Sequence, residues 1–139
     1  MTAPLPQKIL CLCTENTVRS IMLEAMLSQH TSIESAGIDP VSFANPITQE
    51  VINNNNFQFV VEDPKGMDEI SLEGVDLVIA VSEPAYQYFK THNETHIPLE
   101  YWTTATPPLL GEIPRNACVS AYQNIFEELN EQMKNSFRL

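Results

Sequence analysis

Basic residues are scarce in this chain: 7 lysines and arginines stand against 18 aspartates and glutamates in 139 residues, a formal net charge of −11. That balance disfavours approach to nucleic acid or to an anionic membrane, and at long range it repels anionic substrates as well. Any phosphate site must therefore be built from local donors. The opening residues, MTAPLPQK, have no basic stretch running into an apolar one, and no uninterrupted apolar segment reaches spanning length. The expectation is a cytoplasmic protein with no membrane partner. Cysteines number three, an odd count that, in a chain without an export signal, argues against a disulfide framework and for reduced thiols.

Repeats and low-complexity tracts are missing too, apart from NNNN at 53–56, which reads as a polar helix end and turn. No linker stands out, so residues 1–139 are expected to form one domain, of ordinary globular composition at 43% hydrophobic and 18% charged. His30, His92 and His96 lack the close spacing of metal ligands, and neither a metal nor another cofactor is implied. Oligomeric state leaves no mark in the sequence.

What the chain does contain is four short apolar segments that read as strands: 8–13 (KILCLC), about 32–35 (SIES), 75–81 (VDLVIAV) and 97–101 (IPLEY). The first and third are apolar at nearly every position, as strands covered on both faces of a parallel sheet are. Helical stretches fall between them. Residues 20–30 place Met22, Ala25, Met26 and Gln29 at helical spacing. In 116–137, Val119, Tyr122, Phe126, Leu129 and Met133 form one apolar face, with Glu127, Glu128, Glu131 and Lys134 on the other. The alternation predicts an α/β fold with a parallel sheet, whose ligands belong at the carboxyl ends of the strands. Three segments meet there: the turn after Cys13, the turn after Val81, and a proline-rich stretch from Trp102 to Pro114, too long for a simple connection.

Between Cys13 and Arg19 lie Thr14, Glu15, Asn16, Thr17 and Val18, and Ser20 then begins a helix. Such a turn directs backbone N–H groups inward, and the helix start adds its unpaired N–H groups and positive dipole end. Arg19 supplies a planar two-pronged donor suited to a tetrahedral oxyanion. The same field stabilises a thiolate, to which Ser20 can donate a hydrogen bond. Asn16 suits a left-handed turn position and can brace neighbouring segments. A cysteine followed by an arginine at this interval also arises by chance; the strand before it and the helix after it give the pattern its weight.

The stretch ILCLCTENTVRSIMLEAML resembles the amino-terminal signature of the low-molecular-weight protein tyrosine phosphatase and arsenate reductase superfamily. ESAGI at 34–38, VDLVIAVSEPA at 75–85 and LEYWTTATPP at 99–108 are similar to later segments of the same family, so the resemblance runs over nearly the whole chain. It implies a single phosphatase-like domain: a three-layer sandwich with a four-stranded parallel sheet, strand order 2-1-3-4, and helices on both faces. It also implies hydrolysis of phosphomonoesters, an aryl phosphate or phosphotyrosine, through a phosphocysteine on Cys13. Arg19 would clamp the phosphoryl oxygens, Asn16 would brace the loop, and Ser20 would partner the thiolate. Phosphate or a phosphorylated substrate is the partner expected.

The sequence departs from that pattern where the family takes its general acid, an Asp-Pro pair after the last strand. Here the matching pair is Thr106-Pro107, and threonine does not exchange a proton usefully near neutral pH. Loss of general acid-base assistance, typically worth ~10²–10⁴-fold, leaves either a slow enzyme or a non-catalytic phosphate- or phosphopeptide-binding protein. Glu112, in the same loop, is a distant substitute, and Glu100 reads as structural. Glu15 stands where many relatives have glycine and is expected to point to solvent. Val18 replaces a second cysteine, and Ser82 stands where a reductase would carry a relay thiol, so thioredoxin-coupled arsenate reduction is disfavoured. Cys11 and Cys118 read as core. Tyr101 and Trp102 read equally as pocket wall or as packing.

Overall fold

The computed structural model describes residues 2–139. In chain order its elements are β1 (Ala3–Pro4), β2 (Lys8–Cys13), α1 (Arg19–Leu27), β3 (Ser32–Gly37), α2 (Pro46–Asn54), a 3-10 turn at Met67–Glu69, β4 (Leu77–Ala80), α3 (Glu83–His92), β5 (Leu99–Tyr101), α4 (Arg115–Ser136) and β6 (Phe137–Arg138). β3, β2, β4 and β5 form a wholly parallel sheet in that order, which is the expected 2-1-3-4 arrangement of the four main strands.

Alternation along β2 assigns the two faces. Ile9, Cys11 and Cys13 join Leu77, Ile79 and Val81 beneath α1, α2 and α4, while Leu10 and Leu12 join Val78, Ala80 and Ala36 beneath Ala85 and Phe89 of α3. Both faces are covered, which is why β2 and β4 carry no polar side to the alternation. The α4 face closes on Cys118, Tyr122, Ile125, Phe126, Leu129 and Met133, with Val119 at its margin.

Helix starts follow their sequence signals. Asn45 caps α2 by accepting from Ile47 N at 2.9 Å, with Pro46 in the first turn, and Ser82 caps α3 by accepting from Ala85 N at 3.3 Å. The NNNN run is the end of α2, and Asn56 takes a left-handed φ of 64° just beyond it.

Two differences from the sequence reading have local causes. Gln29 is exposed, because α1 ends at Leu27 and Ser28 Oγ turns back to donate to Ala25 O. β1 and β6 pair in parallel, Ala3 with Phe137 and Pro4 with Arg138, a contact too short to leave a pattern. Among the described residues no helix is long and apolar enough to cross a membrane.

Candidate functional site

The turn between β2 and α1 is fixed from beneath by one buried asparagine. Asn16 sits at φ 60°, a left-handed position that asparagine tolerates better than most residues. Its Nδ2 donates to Ser20 Oγ at 2.9 Å and to Ser35 Oγ at 3.0 Å, while its Oδ1 accepts from Lys65 N at 3.0 Å. Ser35 Oγ in turn donates to Glu24 Oε1. Asn16 thereby joins four segments of the chain.

Close approach of β3 makes this possible. A Cβ on Gly37 would lie 2.7 Å from Thr14 O and 3.0 Å from Asn16 N, so only glycine lets the turn rest here. Ile38 N and Asp39 N donate to Cys13 O and Thr14 O, extending the pairing past the strand end. From the sides, Thr14 Oγ1 shares a hydrogen bond of 3.0 Å with Ser82 Oγ, and Thr48 Oγ1 donates to Thr17 O at 2.8 Å. Val18 drops its side chain into the core.

Cys13 Sγ lies at the bottom of this turn, sharing a 2.8 Å hydrogen bond with Ser20 Oγ and receiving one of 3.2 Å from Asn16 N. Because Asn16 Nδ2 already donates to Ser20 Oγ, the hydroxyl proton of Ser20 is free to point at the sulfur. α1 has no side-chain cap, unlike α2 and α3, so its first N–H groups remain available beside that sulfur. Arg19 is partly buried and has no salt-bridge partner among the described residues. Burial draws its guanidinium below the ordinary value, and the charges of Cys13 and Tyr101 oppose that shift; an arginine stays a cation regardless. A thiol with two hydrogen-bond partners thus lies beside an unpaired cation and an open helix start. The set can hold an oxyanion and can direct sulfur at its central atom.

Above it opens a cleft of about 410 Å³. Cys13, Thr14, Glu15, Thr17, Val18 and Arg19 form one side, and Thr106, Pro107 and Pro108 the other. Tyr122 and Asn45 join the two: Asn45 Nδ2 donates to Tyr122 Oη at 2.8 Å, and Tyr122 Oη donates to Pro108 O at 2.9 Å. Burial, more than the nearby Cys118 and Glu15, pushes the Tyr122 hydroxyl up to about 12 against the opposing Asn45 bond, so it remains a donor. The rim is apolar, with Val41 39%, Phe43 78%, Leu109 67% and Leu110 50% exposed.

Several residues singled out in the sequence lie elsewhere. Trp102 does not line the cleft: it is buried against Phe137 and donates from Nε1 to Glu100 Oε1 at 2.9 Å, because the chain at Trp102 still pairs with Ala80 O. Tyr101 stacks on Tyr86 at the surface rather than walling the cleft. Glu112 accepts from Leu109 N at 2.7 Å and stays outside the cleft. Glu15 is exposed, as expected, but at the rim of the cleft rather than away from it. Burial, with smaller contributions from Glu24 and Cys13, raises the Cys11 thiol well above its ordinary value, as befits a core residue. Cys118 is buried beside Tyr122.

Sequence reasoning missed Ser35, Asn45, Tyr122 as a cleft residue, and the apolar rim. Only Asn45 had a usable local signal, the Asn-Pro pair that opens α2.

Residues 8–137 match the family described as low molecular weight phosphotyrosine protein phosphatase. No curated protein sequence matches. Among solved structures, an arsenate reductase from Archaeoglobus fulgidus is similar at 23% identity, with 91% of this chain and 96% of that one covered and a TM-score of 0.69. A low molecular weight protein tyrosine phosphatase from T. tengcongensis is 18% identical over 93% of this chain and 99% of that one, TM-score 0.70. The tyrosine phosphatase Wzb from Escherichia coli K30, in complex with sulphate, is 17% identical over 94% and 99%, TM-score 0.71. At such identities these structures speak for the fold, and the match over residues 8–137 speaks for descent: the chain belongs to the low molecular weight phosphotyrosine protein phosphatase family.

Proposed function

We propose that the protein is a cysteine-dependent phosphomonoesterase acting on aryl phosphates or phosphotyrosine, slowed by the lack of an acid at Thr106. The Cys13 thiolate attacks phosphorus, and the leaving oxygen departs with the electrons of the P–O bond. Arg19 and the free N–H groups at the start of α1 stabilise the charge on the phosphoryl oxygens. Water then releases phosphate from the phosphocysteine. The observation that carries this reading is the pairing of Cys13 Sγ with Ser20 Oγ and Asn16 N beside an Arg19 that has no salt-bridge partner among the described residues.

An aryl phosphate with a good leaving group bypasses much of the need for an acid. Slow hydrolysis of p-nitrophenyl phosphate is expected, abolished by Cys13→Ser. Turnover no faster than the Cys13→Ser background would sink the proposal.

A second reading, a non-catalytic phosphate or phosphopeptide binder, is favoured by Thr106 itself, which lines the cleft without a group that transfers protons. Thr106→Asp separates the two. A gain of about tenfold or more, toward the ~10²–10⁴-fold that acid-base assistance typically supplies, identifies a catalyst that lacks only its acid. Phosphate binding with no turnover in either form identifies the binder.

A further inference from the structure

The cleft contains one carboxylate. Of the residues that line it, only Glu15 is acidic; it is exposed and has no hydrogen-bond or ion-pair partner among the described residues. The other carboxylates around the Thr103–Pro114 loop are engaged elsewhere. Glu112 accepts from Leu109 N, Glu128 from Ala105 N at 3.2 Å, and Glu100 from Trp102 Nε1. None of the three lines the cleft.

The position of Glu15 is favourable as well. It lies two residues after Cys13 in a turn clamped by Asn16, Gly37 and Ser82, so its backbone is fixed relative to the sulfur. Its charge acts on the Tyr122 hydroxyl, which holds Pro108 O, two residues past Thr106. Glu15 and Thr106 line the same cleft, so the carboxylate shares it with the proline loop, which brings only a threonine. At the rim of an anion site a carboxylate opposes phosphate binding by simple repulsion, so its presence calls for a role that offsets that cost.

We propose that Glu15 is the general base of the second half-reaction, an inference that rests on the phosphocysteine chemistry proposed above. The carboxylate takes one proton from a water molecule as the water oxygen bonds to phosphorus. The S–P bond breaks and its electron pair returns to Cys13 as thiolate. Phosphate leaves, helped by the same repulsion, and the proton passes from Glu15 to solvent. No redox partner or further reactant is needed. The first half-reaction does not involve Glu15, and a phenolate leaving group departs without it.

The test follows p-nitrophenyl phosphate through both steps in wild type, Glu15→Gln and Glu15→Asp, measuring nitrophenolate release in the first turnover, steady-state rate, and phosphocysteine by mass spectrometry of acid-quenched protein. For Glu15→Gln, loss of the repelling charge is expected to lower KM, and the first turnover at saturating substrate to be no slower than in wild type, while steady turnover falls about 10–100-fold and phosphocysteine accumulates. Glu15→Asp retains a substantial part of the steady rate. Phosphocysteine that forms and decays in Glu15→Gln at wild-type rates overturns the role of Glu15 and leaves the phosphatase intact. Equal loss of both steps without accumulation overturns it as well. If wild type forms no phosphocysteine and turns over no faster than Cys13→Ser, the parent reading falls and this one with it.

Discussion

The loop after β2 and the loop after β5 face the same cleft, but the first is held through the interior of the protein and the second mostly along its surface. Thr14 to Val18 rest on Asn16, Ser20, Ser35 and the backbone of Lys65, all tied by buried or half-buried hydrogen bonds. Thr103 to Pro108 are fastened to one side of α4 by Gln132 Nε2 donating to Thr103 O at 2.8 Å, by Ala105 N donating to Glu128, and by Tyr122. A change in the first loop disturbs a network with no water to replace lost partners. Thr106 takes no part in the bonds that fasten the second, so a change of its side chain leaves them untouched. The turn that carries Cys13 is thus bound up with folding, whereas the segment that carries Thr106 can change side chains without structural penalty.

Asn16→Ala breaks that comparison most severely. It deletes three side-chain hydrogen bonds and leaves a residue with a Cβ at φ 60°. A loss of about 3 kcal/mol is expected in urea unfolding, at roughly 1 kcal/mol per bond, together with loss of phosphate affinity. Asn16→Gly keeps the backbone angle and should recover a fraction of the stability but not the affinity. A loss below about 1 kcal/mol in Asn16→Ala would mean that the turn stands without its brace.

Tyr122→Phe tests the second loop. It removes the hold on Pro108 O and strands the buried Asn45 Nδ2, for an expected cost of about 1–2 kcal/mol. The Cys13 turn keeps all its own bonds. KM for an aryl phosphate should therefore rise severalfold while the first-turnover rate at saturation stays within about twofold, since only a binding contact of the cleft wall is disturbed. A fall in the first-turnover rate as large as the change in KM would show the two loops to be mechanically joined.

What could be read from the sequence follows the same division. β2 and β4 were legible because a parallel sheet covered on both faces demands apolar residues at successive positions, and the α4 face because twenty-two residues display their period fully. The Cys13–Ser20 turn was legible because its parts are contiguous. Ser35 was marked only as part of ESAGI, with no role attached, and Lys65 and Tyr122 were not tied to the site at all, because all three reach it only through the fold. Trp102 shows the converse: it borders the proline-rich loop in sequence, but the ladder to Ala80 carries it into the core before the loop begins. The β1–β6 pairing, two residues on each side, lies below any periodic signal.

The smallest effect is expected at the far end of the Asn16 network. Burial raises the Glu24 carboxyl above its ordinary 4.5, while the Ser35 hydrogen bond and Lys65 pull it down and Glu62 and Glu34 add to the rise. The folded protein therefore holds the Glu24 proton more tightly than the unfolded chain does. Stability from this residue falls as pH rises from the unfolded value through the raised folded one, and the penalty is absent at pH below 4.5. Glu24→Gln does not titrate and keeps an amide oxygen to accept from Ser35. As pH climbs from 4 toward neutrality, thermal unfolding of wild type should lose a few degrees relative to Glu24→Gln. A difference that is flat with pH, or that moves in favour of wild type, would mean that Glu24 is ionised at little cost and that the Ser35 bond outweighs its burial. The Asn16 brace would then rest on a charged anchor, and the first loop would be stabilised by electrostatics as well as by packing.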